Sequence, residues 1–117
     1  MLMGIDSGLS ALMAIQTRVQ STANNTANVN TEGFKKTRVT FNEGAGQTVT
    51  ANVQTVNTPG PLVSEPTQNG EALVEQSNVD LAEELPTMMI DRRTFEANIK
   101  MVQTQDEMLG SLLDIKG

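Results

Sequence analysis

Apolar residues recur along this chain with two different periods. Ile5, Leu9, Leu12, Gln16, Val19 and Ala23 stand at spacings of 4, 3, 4, 3 and 4. That is the heptad repeat of a helix with one apolar seam, here with a polar member at Gln16. Residues 5–27 are rich in Ala, Leu, Ile and Gln and contain no Pro, so the spacing predicts a helix there. Asn24, Asn25, Asn28 and Asn30, with Thr26 and Thr31, then interrupt it. Asparagine tolerates the left-handed conformation and bonds its own backbone, which makes the cluster a stop signal. Gly33 follows as the expected positive-φ turn.

Beyond Phe34 the period changes to two. Val39 and Phe41 alternate with Arg38 and Thr40, and Val49, Ala51 and Val53 alternate with Thr48, Thr50, Asn52 and Gln54. This is the pattern of strands with one covered face. Glu43-Gly44-Ala45-Gly46 is expected to join them as a loose hairpin. Thr58-Pro59-Gly60-Pro61 is a firm breaker, and Glu65-Pro66-Thr67-Gln68-Asn69-Gly70 reads as a further turn. Two or three short strands seldom fold stably alone, so the middle is expected to lean on the helices or on neighbouring subunits.

The strongest periodic signal follows. Leu81, Leu85, Met88, Arg92, Phe95, Ile99, Val102, Asp106, Leu109 and Leu113 alternate spacings of 4 and 3, and eight of the ten are apolar. A helix of that length would run ~50 Å. A second stripe flanks it through Met89, Ala97, Met101, Met108 and Leu112, and an apolar face this wide needs more than one packing partner. Ser77, with Asp80 three residues on, is the expected cap. Pro86 removes a helical hydrogen bond, which predicts either a late start near Leu85 or a kink. The organisation is thus 1–33 (helix and Asn-rich turn), 34–76 (β-rich middle) and 77–117 (long helix). The fold class is mainly α with a small β-rich insert. Its N- and C-terminal helices are expected to form an antiparallel coiled coil with short strands between them, either as an intramolecular hairpin or extending into an assembly.

Composition narrows what such a chain can do. Among 117 residues there are three Phe, no Trp, no Tyr and seven Met, an inventory suited to a narrow seam between helices rather than a thick core. Residues 1–60 carry four basic and three acidic side chains, and residues 61–117 carry four and eleven. This balance disfavours nucleic-acid binding, and it reads either as a solvated acidic face or as charge that lets one end of a molecule attract the other end of a neighbour. The absence of Cys and His removes thiol chemistry, the usual transition-metal ligands and the commonest general base. Gly44-Ala45-Gly46 is no phosphate loop, and the acidic residues lack the alternating pattern of a calcium loop. No enzyme activity, cofactor or metal is expected. No run approaches the ~18 apolar residues of a membrane span, and the start is a poor Sec signal, so export would use a route without a cleaved signal.

The stretch Ala23-Asn24-Asn25-Thr26-Ala27-Asn28-Val29-Asn30-Thr31-Glu32-Gly33-Phe34-Lys35-Lys36 resembles the N-terminal signature of bacterial flagellar rod and hook proteins. Glu75-Gln76-Ser77-Asn78-Val79-Asp80-Leu81 looks like the opening of that family's C-terminal segment. It continues through Glu83-Glu84-Leu85, Arg93-Thr94-Phe95-Glu96-Ala97-Asn98, Thr104 and Asp106-Glu107-Met108-Leu109. The resemblance implies a short structural subunit of the basal-body rod, located in the periplasm-spanning part of the flagellum. In this family the terminal helices pack as an antiparallel coiled coil and copies stack helically into a hollow tube. The implied partners are copies of the chain, other axial proteins and the flagellar type III export apparatus. On this reading Leu9, Leu12, Val19, Phe95, Ile99, Val102, Leu109 and Leu113 are assembly-seam contacts, and Asn25, Asn28 and Gly33 set the turn. Pro86, Thr94 and Phe95 depart from the family pattern. The short middle argues for a proximal-rod role, whereas Glu75-Gln76-Ser77-Asn78-Val79 looks more like distal-rod and hook members. The alternative is a small acidic coiled-coil adaptor or export chaperone of the same system, for which the β-rich insert has no need.

Overall fold

The structure, a computed structural model, describes residues 2–116. Helix α1 spans Leu2–Ala27 and helix α2 spans Leu81–Lys116. Between them lie two hairpins: β1 (Thr37–Glu43) with β2 (Val49–Thr55), and β3 (Leu62–Thr67) with β4 (Gly70–Glu75). Each hairpin is its own two-stranded antiparallel sheet.

Helix α1 ends inside the asparagine cluster. The Asn28 backbone N–H returns to the carbonyls of Asn24 and Asn25, while its side-chain amide donates to Asn24 O at 2.8 Å. Thr31 Oγ1 donates to Asn28 Oδ1 at 3.0 Å, and Gly33 turns the chain at φ 67°.

Helix α2 corrects the expected start. Asp80 Oδ1 accepts from the Ala82 N–H at 2.9 Å, so Asp80 caps the helix and the first turn begins at Leu81 rather than near Leu85. Ser77 Oγ instead accepts from Val79 N–H at 3.1 Å, ahead of the helix. Pro86 lies within the continuous helix. The carbonyl it leaves without a donor belongs to Ala82, and both residues are exposed, so water can serve that group.

The two helices run antiparallel, side by side. Gly8 faces Val102, Arg18 faces Asp91 and Asn25 faces Glu84. The covered line of α2 differs from its most apolar line. It follows Glu84, Met88, Asp91, Phe95, Asn98, Val102, Gln105 and Leu109, a heptad repeat in which every second member is polar or charged. Met88, Phe95, Val102 and Leu109 are common to both lines, but Leu81, Leu85, Ile99 and Leu113 remain exposed. The reason is complementary chemistry on α1, whose facing line carries Gly8, Ile15, Arg18, Thr22 and Asn25 rather than a run of large apolar residues.

The β1–β2 hairpin covers a second side of α1. Ser7 Oγ donates to Gln47 O at 2.6 Å, and Ser10 Oγ accepts from Val49 N–H at 3.0 Å. Val39 is buried, and its register partner is Val53. The interior is thin: the buried apolar side chains among the described residues are Ala14, Ile15 and Val39. The β3–β4 hairpin contributes no buried apolar side chain to it, and the molecule measures 81 × 24 × 17 Å. It is tied down at its base, where the Gln76 N–H donates to Pro61 O at 2.8 Å and the Gly33 N–H to Glu75 O at 2.9 Å.

That base has no room for a methyl group. A Cβ on Gly60 would lie 2.0 Å from the Gln76 carbonyl oxygen, which is backbone and cannot rotate aside. Gly60→Ala is therefore expected to cost about 1–3 kcal/mol in urea unfolding. Gly110→Ala, with nothing within 4 Å, is expected to gain up to about 1 kcal/mol.

Candidate assembly surface

Two asparagines, one in each terminal motif, hold adjacent residues of the same strand entrance. Asn25 Oδ1 accepts from Thr37 N–H at 3.0 Å and its Nδ2 donates to Thr37 O at 2.9 Å. The amide thus pairs with Thr37 as a neighbouring strand would. The same Nδ2 donates to Glu84 Oε1 at 3.2 Å, carrying the contact across to α2. Asn78 Oδ1 accepts from Lys36 N–H at 2.7 Å, and its Nδ2 donates to Val56 O at 2.9 Å and Thr58 O at 3.0 Å. Three chain segments therefore meet on one side chain just before α2. Lys35 pairs with Glu75, which also accepts from Gly60 N–H at 3.1 Å.

Higher along the helices, Arg18 joins three elements. Its Nε donates to Asp91 Oδ1 at 2.7 Å, its second nitrogen bonds the same oxygen, and the guanidinium lies 4.4 Å from the centroid of the Phe41 ring on β1. Asp91 is fully buried, and its other oxygen has no protein partner among the described residues. An ionised carboxylate in that position depends on the arginine.

Of the residues singled out from sequence, Val19 and Phe95 line one groove between the helices, together with Gln16, Met88 and Asp91. Val102 meets α1 at Gly8. Leu12 and Leu109 are half-buried, whereas Leu9, Ile99 and Leu113 stand on open faces. Asn25 and Gly33 take part in the junction itself, and Asn28 closes the end of α1. Sequence reasoning missed Arg18, Asp91, Glu84 and Asn78. The available signal was charge complementarity: Arg18–Asp91 and Asn25–Glu84 share the same antiparallel offset. The described residues contain no cluster able to hold a metal ion, and none of their helices is long and apolar enough to cross a membrane.

Arg18→Ala is expected to destabilise by about 3–5 kcal/mol, because it leaves the buried Asp91 unmatched, and Asp91→Ala by less, because the Arg18 side chain is 26% exposed and can turn to water. The pair replacement Arg18→Met with Asp91→Leu should recover most of that loss in the same urea titration. Two carboxylates give opposite pH dependences. Burial pushes Glu84 above its ordinary range, against the hydrogen bond from Asn25. Folding then binds its proton more tightly, so this group's contribution weakens as pH rises through the shifted value. Glu75 is held low by the Lys35 hydrogen bond and then by the Gly60 N–H, so its contribution is lost as pH falls through the lowered value. Glu84→Gln should therefore reduce the loss of stability on the rising side, and Glu75→Gln the loss on the acid side. Unfolding midpoints compared between about pH 3 and pH 7 check both signs.

The motifs that build this junction coincide with matches to known proteins. Residues 5–35 match the family model described as flagella basal body rod protein, and residues 71–115 match the flagellar basal body rod FlgEFG protein C-terminal model. The flagellar basal-body rod protein FlgG of Bacillus subtilis is 49% identical over 49 residues, covering 42% of this chain and 19% of that protein. FlgG of Borreliella burgdorferi is 44% identical over 46 residues, covering 39% and 17%. The flagellar hook protein FlgE of Escherichia coli is 37% identical over 43 residues, covering 37% and 11%. The matched stretches thus span about a fifth or less of these relatives' lengths. With one match at each end, and with Asn25 and Asn78 from the two matched segments holding neighbouring residues at the entrance of one strand, the chain belongs to the family of flagellar basal-body rod and hook proteins.

Proposed function

We propose that this chain is a structural subunit of the bacterial flagellar axis, placed in the basal-body rod, and that it catalyses nothing. The observation that carries this reading is the union of the two family-matched ends in one antiparallel helix pair, whose long helix keeps a row of apolar side chains uncovered. An isolated protein has no use for Leu81, Leu85, Ile99 and Leu113 in water, whereas an assembling one does.

In this reading the terminal helices pair as an antiparallel coiled coil, and copies stack helically through them into a hollow drive shaft. Leu12, Val19, Phe95, Val102 and Leu109 hold the two helices together within a copy. Leu9, Ile99 and Leu113 meet neighbouring copies or other axial proteins. Asn25, Asn28 and Gly33 fix where the first helix ends. The subunit reaches the periplasm-spanning rod through the flagellar type III export apparatus, without a cleaved signal.

Mass spectrometry of purified hook–basal bodies tests the placement. Recovery of the chain in stoichiometric amount is expected. Recovery in the cytosol alone, beside intact basal bodies lacking it, would favour the small adaptor or export-chaperone reading. Ile99→Asp tests the seam: Ile99 is 36% exposed, so the monomer should stay folded with a lowered unfolding midpoint while the charge blocks assembly. Normal incorporation of that variant would remove Ile99 from the seam.

A further inference from the structure

The β3–β4 hairpin and the outward side of α2 are each unpartnered within the chain, and their chemistries are complementary. In the β3–β4 register Leu62, Ser64, Pro66, Glu71 and Leu73 share one face. Leu62 is 62% exposed and Leu73 is 70% exposed. The segment 61–75 has no basic residue, and of its three Glu, Glu71 and Glu75 lie on this face, Glu75 held by Lys35, while Glu65 lies on the other. A lone two-stranded hairpin with exposed leucines is marginal in water and gains from a surface to lie on. On α2, away from the line covered by α1, Ile90, Arg93, Ala97, Lys100 and Met101 fall on one side at helical spacing, and all are exposed. That strip is apolar and basic where the hairpin face is apolar and acidic.

We infer that the β3–β4 hairpin of one copy docks on the Ile90–Met101 strip of α2 of a second copy. Leu62 and Leu73 lie against Ile90, Ala97 and Met101, and Glu71 lies beside Arg93 and Lys100. Hairpin-to-hairpin pairing through this face is disfavoured, since it would bring two Glu71-bearing faces of like charge together. The contact is heterologous, end against middle, so every bound copy still offers a free hairpin or a free strip. Such an interface propagates rather than closing as a dimer. The inference rests on the self-assembly reading and specifies which surfaces meet.

The chain contains no cysteine, which permits a direct test. Purified Leu73→Cys and Ala97→Cys proteins are mixed at high concentration and oxidised. The expected product is the disulfide-linked heterodimer, in clear excess over either homodimer and over the product of an Asn52→Cys control with Ala97→Cys. Adding Glu71→Arg to the first partner should lower the heterodimer yield about tenfold, and adding Arg93→Glu to the second should restore it. Homodimers of Leu73→Cys in excess, a yield no greater than the control, or insensitivity to both charge reversals would each overturn the docking. Recovery of the chain in basal bodies is a separate measurement, so failure of this contact and failure of the axial role are distinguishable.

Discussion

The fold depends on the guanidinium of Arg18. It bonds the buried Asp91 carboxylate on α2 and lies over the Phe41 ring on β1, so one side chain ties the two helices and the first hairpin together. Few large apolar side chains are buried, the buried apolar set among the described residues being Ala14, Ile15 and Val39. Cohesion therefore falls to a charged group that can satisfy two neighbours at once, electrostatically on one side and through the ring quadrupole on the other.

A polar interior also fixes alignment. Apolar seams tolerate a slip of one heptad, because each leucine finds another hole. Here the same slip would set Asp91 against Ala11 in one direction and against Asn25 in the other, away from Arg18 in both. A buried carboxylate without its cation is costly enough to exclude either alternative. Asn25 adds a second check, since its amide can meet Thr37 and Glu84 together only in the observed alignment. The junction then transmits that alignment to the strands: Asn25 holds Thr37 and Asn78 holds Lys36, so the ends of both helices determine where β1 begins.

Much of this architecture was legible in the sequence. Both helices, the asparagine stop before Gly33 and the alternation of Val39, Phe41, Val49 and Ala51 all announced themselves through period and turn chemistry. Three features were not legible, for separate physical reasons. The β3–β4 hairpin shows no alternation because neither of its faces is covered, and Pro66 in its first strand reads as a breaker. The start of α2 at Leu81 was masked by Pro86, whose cost is small where the freed carbonyl faces water. The line that α2 turns toward α1 was hidden because periodicity selects the most apolar row, whereas Glu84 and Asp91 are buried by virtue of partners on another helix. Of the candidate assembly residues, Val19 and Phe95 line a groove between the helices and Val102 meets Gly8. Ile99, one position beyond the covered line, is 36% exposed, which helical spacing alone does not distinguish.

The way the β3–β4 hairpin is fastened has a consequence for how chains of this kind can vary. Among the described residues its hydrogen bonds to the rest of the molecule lie at its base, around Gly60, Glu75 and Gln76, while the turn at Gln68–Asn69 is exposed. Two chain ends leaving that turn stand only about 5 Å apart. Almost any folded unit whose own termini are adjacent could be spliced there without moving Arg18, Asn25 or Asn78. The helix pair and its junction form a fixed chassis, and the hairpin tip is the port through which length can be added.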